Sequence, residues 1–336
     1  MAQSIPVVIC DDSRLARKQM ARALSHWNVE ITQAEHGLQA LEAIRAGKGH
    51  IMFLDLNMPI MDGYQVLERV RRDDLPCLVI VVSGDIQEDA QIRVMSLGAI
   101  GFINKPINEH ILCESLKAYG LLDELQARTS TSTQFSASAE DIPKDMFDLA
   151  RETANVAMGR AAGLLAKLLN VFVHLPVPKV QLISIAEVDM ALQASSGYDP
   201  ITTVCQGFIG KSIAGEALLM FKESNISQIA QLLKYDGDIN EAAERELIMD
   251  ISNVLVGAFI RNFGQLINVE FSQGTPQILG LHCHAPNLQQ NPAEWKNTLS
   301  IEIEYTIENT NISCDLLVLF TEDSLSSLSE RMEQLT

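Results

Sequence analysis

The chain has 336 residues, 47% apolar and 20% charged, which is the profile of a soluble protein long enough to bury two cores. A formal net charge of -18 and a pI near 4.7 leave no basic patch to neutralise phosphates, so nucleic acid and anionic membrane surfaces are disfavoured as partners. Apolar runs such as Cys77–Val82 are strand-length and too short to span a bilayer, and Met1–Ser4 lacks the basic start and apolar stretch of a signal peptide, so a cytoplasmic protein is expected.

Residues 1–124 alternate short apolar runs with amphipathic stretches. Strands are predicted at Ile5–Cys10, Val29–Ala34, Ile51–Leu56, Cys77–Val82 and Ile100–Asn104. Helices are predicted at Arg14–Trp27, Leu38–Ala46, Gln65–Arg72, Gln87–Leu97 and Glu109–Leu122. Such an alternation gives an α/β fold with a doubly wound parallel sheet, and ligands bind outside the carboxyl ends of its strands. At those ends stand Asp11 and Asp12, Asp55, Ser83 and Lys105. Three carboxylates meeting on one rim repel each other unless a hard divalent cation sits among them, and oxygen ligands suit Mg²⁺. A lysine and a hydroxyl on the same rim can hold the oxygens of a phosphoryl group.

These residues resemble the receiver domain of two-component response regulators. The resemblance implies a flavodoxin-like sheet with Asp55 as phosphoacceptor and a sensor histidine kinase as partner. It gives Asp11, Asp12, Asp55 and the backbone carbonyl of Asn57 to the metal. Ser83 takes the place of the switch hydroxyl and Phe102 that of the switch aromatic. Lys105 becomes the phosphate-contacting lysine, followed by Pro106 across a cis bond. Threonine and tyrosine are commoner in the family at the places of Ser83 and Phe102; both replacements keep the needed group or shape.

Residues 125–142 are rich in Ser, Thr and Ala, too poor in apolar surface to fold alone, and read as a flexible tether of roughly 20 Å reach. Residues 143–336 contain a duplication. Asp148-x3-Glu152-x2-Asn155-x22-Pro178 recurs as Glu246-x3-Asp250-x2-Asn253-x22-Pro276, every position shifted by 98. Leu218–Phe221 returns as Leu317–Phe320, shifted by 99. Each repeat is predicted as a long helix, a strand near the proline, two long strands and a closing helix (Ile226–Leu233 and Leu325–Met332). Alternating segments such as Leu299–Glu304 imply an antiparallel or mixed sheet and a pseudo-two-fold α/β domain.

Along the first long helix, Phe147, Ala150, Ala154, Met158, Ala161, Leu165 and Leu168 form the expected core stripe. Asp148, Glu152 and Asn155 share a different side, which continues into Gly159, Ala162, Gly163 and Ala166. The second helix repeats this with Gly257 and Gly264 beyond Asn253. Glycine inside a helix costs about 1 kcal/mol relative to alanine. Two gains are available to offset it: close packing within the domain, or close approach of a partner.

The duplicated pattern resembles the CheC branch of the CheC/CheX-type chemotaxis phosphatases, which act on phosphorylated receivers. The resemblance implies that Asn155 and Asn253 hold the attacking water while Glu152 and Asp250 anchor the docking on a receiver's lysine. The family usually has Glu where this chain has Asp250, so the second copy has a shorter reach. The substrate receiver is the chain's own or a separate CheY-like one. A non-catalytic adaptor that binds phosphorylated receivers or a flagellar switch is the alternative; a homodimer is compatible with either.

Six cysteines are scattered without a CxxC pair and read as reduced, mostly buried thiols. On a strand His282 and His284 face away from Cys283, so that cluster reads as structural. Trp27 and Trp295 read as packing residues.

Overall fold

The structure, a computed structural model, describes residues 4–121, 125, 142–184, 200–283 and 298–335, the side chains of 142–145, 282 and 283 apart. The chain divides into two compact units, Met1–Glu152 and Thr153–Leu335.

In the first unit the elements are β1 (Ile5–Cys10), α1 (Arg14–Ala23), β2 (Val29–Ala34), α2 (Gly37–Arg45), β3 (Ile51–Leu54), α3 (Gly63–Arg72), β4 (Leu78–Ser83), α4 (Glu88–Ser96), β5 (Gly101–Asn104) and α5 (Glu109–Ala118). All five strands are parallel, in the order β2-β1-β3-β4-β5. The expected doubly wound sheet is therefore present. Alternate residues of each central strand enter two cores. Val8, Met52, Leu54 and Val81 pack with Leu41, Ile44 and Val66 on one face. Val7, Phe53, Ile80 and Val82 pack with Met20, Trp27, Leu112 and Leu125 on the other.

Three predicted elements of this unit end two or more residues early. The first helix stops at Ala23, and Trp27 instead folds into the core at 9% exposure. The fifth ends at Ala118, two residues before Gly120 at φ 72°, a left-handed position that glycine occupies without strain. The third strand ends at Leu54, not Leu56, so Asp55 is the first residue beyond the sheet. The Lys105–Pro106 peptide is cis.

The long helix α6 (Ile142–Leu169) has its turns up to Glu152 in the first unit and the remainder in the second. Then follow β6 (Val173–His174), β7 (Lys179–Ile183), β8 (Ile201–Gly210), β9 (Ile213–Lys222) and α7 (Ile226–Leu232). The second repeat is α8 (Glu241–Leu266), β10 (Ser272–Gln273), β11 (Gln277–Cys283), β12 (Thr298–Ile307), β13 (Ser313–Phe320) and α9 (Leu325–Glu333). The sheet is antiparallel, with β8-β9-β13-β12 at its centre. β10 and β11 of the second repeat pair with β8 of the first, and β6 and β7 of the first pair with β12 of the second. The register shows the symmetry directly. Leu218 pairs with its own equivalent Leu317, while Ala217 meets Val318 and Leu219 meets Leu316. A pseudo-dyad therefore passes between Leu218 and Leu317.

Both repeats end their long helix the same way. Asn170 and Asn268 adopt φ of 53° and 55°, and the next residue donates back, Val171 N–H to Ala166 O and Val269 N–H to Gly264 O. This satisfies a carbonyl that the helix leaves without a partner. Ala217–Phe221 and Leu316–Phe320 are buried throughout, so both faces of the central strands lie in apolar surroundings. Phe263 of α8 packs at a tilt against Phe320, which meets Phe208 edge-on. α8 is also the one helix among the described residues long and apolar enough to cross a membrane; 67% of that window is buried inside the fold.

One expectation for the helices is revised, and one left open is decided at Gly264. Leu168 is 42% exposed, and Leu169 takes the buried position instead, because 161, 165 and 169 continue the stripe in steps of four as it drifts around the helix. At Gly264 an added Cβ would lie 2.4 Å from Val269 O and 2.7 Å from Phe271, so packing inside the domain accounts for that glycine. Gly257 is also buried, with Gln273 Oε1 at 3.5 Å from an added Cβ as the near contact among the described residues.

Candidate functional site

The carboxyl ends of β1, β3 and β5 bring Asp11, Asp12, Asp55 and Lys105 together. The β1–α1 turn is held by Ser13, whose N–H donates to Asp11 Oδ1 at 2.8 Å and whose side chain caps α1 through Ala16 N–H. Arg17, 5% exposed, donates to the carbonyls of Asp11 and Asp12 at 2.8 and 3.2 Å and pairs with Glu35 at 2.7 Å. Asp55 is 1% exposed, and the backbone N–H of Asn57 donates to its Oδ2 at 3.1 Å. Gly63 is required beside it, since a Cβ there would lie 2.4 Å from Asp55 O.

Lys105 Nζ is 2.8 Å from Asp11 Oδ2, 3.2 Å from Asp55 Oδ1 and 3.1 Å from Glu152 Oε1. Glu152 belongs to α6 and is itself buried. One residue earlier Arg151 donates to Asp148 Oδ1 at 2.8 Å and approaches Asp12 Oδ2 at 3.7 Å. Asp148 accepts from the N–H groups of Arg14 and Leu15 at 3.2 and 2.9 Å. A carboxylate there satisfies the free donors of a helix start and meets its positive dipole end. Asp148 and Glu152 of the first duplicated copy thus touch residues of the β1–α1 and β5 ends.

Three carboxylates around one lysine leave a surplus of two negative charges. Burial alone would lower the Lys105 ammonium, but Asp11, Asp55 and Glu152 outweigh it and push it well above its ordinary range. Burial raises Asp55 and Glu152 to about 7 despite the pull of Lys105. Burial and then Asp11 raise Asp12 to about 7. The acids therefore carry more charge than their surroundings balance.

The residues fit a hard divalent cation. Carboxylate oxygens of Asp11, Asp12 and Asp55 lie within 4.8 Å of one another. Asp12 Oδ2 is buried with Arg151 Nε no nearer than 3.7 Å, and buried Asp55 Oδ1 has the Lys105 ammonium at 3.2 Å as its partner among the described residues. An ion of charge two matches both the all-oxygen donor set and the surplus.

Ser83 is fully buried at the end of β4, and its Oγ accepts from Asp85 N–H at 3.1 Å. Phe102 is half-buried on β5, where its backbone is fixed by a mutual pair of bonds with the Tyr119 hydroxyl at 3.0 and 2.9 Å. Asn155 lies three residues beyond Glu152 on α6 and is buried at 4% exposure. Glu246, Asp250 and Asn253, the second copy, are all exposed on α8. Sequence reasoning missed Arg17, Arg151 and Asp85. Arg151 carried a usable signal, since it stands between two acids that face one side.

Residues 7–117 match the family model of the response regulator receiver domain. The first domain is a receiver domain. Receiver domains bind Mg²⁺ at an acidic cluster such as Asp11, Asp12 and Asp55. The chain is 31% identical over 187 residues to a protein-glutamate methylesterase/protein-glutamine glutaminase of Geobacillus kaustophilus, covering 52% of each. It is 29% identical over 138 residues to the response regulator MprA of Mycobacterium ulcerans, covering 40% of this chain and 59% of MprA. The chain thus spans just over half the length of these curated relatives. Among solved structures, Thermotoga maritima FliY aligns at 19% identity and a TM-score of 0.45, over 58% of this chain and 98% of FliY. A CheX-CheY-BeF3-Mg complex of Borrelia burgdorferi aligns at 26% identity and a TM-score of 0.33, over 34% of this chain and 87% of the other.

The cysteines described are free; Cys10 and Cys314 are buried and Cys77, Cys113 and Cys205 half-buried. Burial pushes the Cys77 and Cys205 thiols up to about 12. Tether residues 126–141, the side chains of the His282–His284 segment and Trp295 lie outside the described residues, whereas Leu125 packs in the core of the first unit and Ile142 opens α6.

Proposed function

We propose that the chain is a response regulator whose output domain hydrolyses the aspartyl phosphate of a receiver, its own or a separate CheY-like one. A receiver domain would span 1–124, a tether 125–142 and the phosphatase 143–336. A histidine kinase would phosphorylate Asp55. Mg²⁺, held by Asp11, Asp12, Asp55 and the Asn57 carbonyl, would supply charge neutralisation at the phosphoryl oxygens. Lys105 and Ser83 would hold the remaining oxygens, and Phe102 would report the phosphorylated state.

Hydrolysis moves the phosphoryl group from the Asp55 carboxylate to water: the water oxygen bonds to phosphorus, the P–O bond to Asp55 breaks, and the carboxylate leaves with its electron pair. Such transfer is governed by positioning and charge stabilisation. The amides of Asn155 and Asn253 suit that water because each offers a donor and an acceptor without a charge that repels the phosphoryl anion. Glu152 and Asp250 would anchor each amide by pairing with the receiver's lysine.

The observation that carries this reading is Glu152 Oε1 at 3.1 Å from Lys105 Nζ, which is itself 3.2 Å from Asp55. The test charges the full chain on Asp55 with acetyl phosphate and follows phosphate release. Replacing Asn155 and Asn253 together by Ala should slow release on the order of 100-fold, the cost of losing a positioned reactant. An unchanged rate would leave the adaptor reading in its place.

A further inference from the structure

We infer that the two copies of the acid–amide stripe serve different substrates: the α6 copy its own chain's Asp55, and the α8 copy a phosphorylated receiver on another chain. This rests on the phosphatase reading above and assigns its partners.

What the stripe binds is visible at the first copy. Glu152 meets a lysine among acids at 3.1 Å, and Asp148 meets the start of helix α1 through two N–H groups. Each chain has a single Lys105, and it is already paired with Glu152. The second copy therefore has no equivalent lysine left within this receiver.

The second copy carries the same groups at the same spacing. Glu246, Asp250, Asn253 and Gly257 follow Asp148, Glu152, Asn155 and Gly159 by 98 residues, so they share one side of α8. Glu246, Asp250 and Asn253 are exposed, and among the described residues neither acid has an ion pair. An acidic stripe of this kind complements a cationic lysine beside a helix start, which a second receiver would present. Gly257, one turn further, is buried and its carbonyl accepts from Gln273 Nε2 at 3.3 Å, so the exposed part of the stripe ends at Asn253. Asp250 reaches about 1.5 Å less far than a glutamate would, and an open face allows the partner to close that distance.

The experiment uses two full-length chains. The substrate chain carries Glu152→Ala, Asn155→Ala and Asn253→Ala, is charged on Asp55 with acetyl phosphate, and is freed of excess reagent. The added chain carries Asp55→Asn, so it accepts no phosphoryl group itself. Phosphate release should rise at least 10-fold and in proportion to the added chain. Adding Asn253→Ala to that chain should remove the rise, while adding Asn155→Ala should not; Glu152→Gln replaces the latter if it fails to fold.

Loss of the rise with Asn155→Ala and its survival with Asn253→Ala would overturn the division, as would no rise at all. Failure of the phosphatase reading looks different. In that case the concentration-independent release within a single unsubstituted chain would also be indifferent to both amides.

Discussion

The α6 and α8 helices carry the same polar spacing and stand in opposite environments. Glu152 is 8% exposed against a buried lysine and Asn155 4% exposed, whereas Asp250 and Asn253 face solvent. Asp148 caps another helix, while Glu246 is exposed. Spacing fixes which side chains share a face, and what the face meets decides their charge state and energetic weight. The duplication conserved the first property and left the second free to differ.

The comparison breaks most sharply at the lysine under the α6 copy. Lys105→Met would leave Asp11, Asp55 and Glu152 buried without their common cation. Uncompensated buried charge of this kind costs about 3–5 kcal/mol. Urea unfolding at pH 8 with EDTA should show this loss, and added Mg²⁺ should recover part of it. Asp250→Ala on α8, by contrast, should stay within about 0.5 kcal/mol.

A pH series separates the copies next. Glu152 is raised from 4.5 to about 7, chiefly by burial. A carboxyl raised in the folded state contributes stability below its unfolded value and loses it as pH rises through the folded one. Between about pH 4.5 and 7 that loss is of order 3 kcal/mol at most. Glu152→Gln should flatten this part of the stability–pH curve. A slope equal to that of the unsubstituted chain would contradict the buried setting of Glu152.

A smaller contrast lies at the first acid of each copy. Asp148→Ala removes two acceptor bonds at the start of α1 and should cost about 1 kcal/mol in thermal unfolding, the usual worth of a capping group. Among the described residues Glu246 caps no other element, and Glu246→Ala should be silent within about 0.5 kcal/mol.

The sequence carried the receiver fold and its rim well, because apolar runs alternating with helical stretches leave few topologies, and because each site residue directly follows a strand. Asp11, Asp55, Ser83 and Lys105 stand where the runs end. The repeat was equally legible, but not the exchange of β6–β7 and β10–β11 between repeats, since edge strands of two or a few residues pair by geometry that no local pattern encodes. Arg17 and Arg151 escaped notice for a related reason. Each acts on groups brought near only by folding, Arg17 on two backbone carbonyls and Arg151 on Asp12. The difference between Glu152 and Asp250 was invisible in principle, because identical spacing carries no information about what lies opposite.

The finest test concerns Gly257, which shares the side of Asn253 on α8. Glycine within a helix is less favourable than alanine by about 1 kcal/mol, and a methyl group here finds only Gln273 Oε1 at ordinary contact distance. Gly257→Ala should therefore raise the unfolding free energy by up to about 1 kcal/mol. Gly257 is buried and its carbonyl accepts from Gln273 Nε2 at 3.3 Å, so the same variant should leave release from a separate phosphorylated chain unchanged. Weakened release would extend the docking face to Gly257; undiminished release leaves the exposed stripe of Glu246, Asp250 and Asn253 to carry that contact by charge and reach alone.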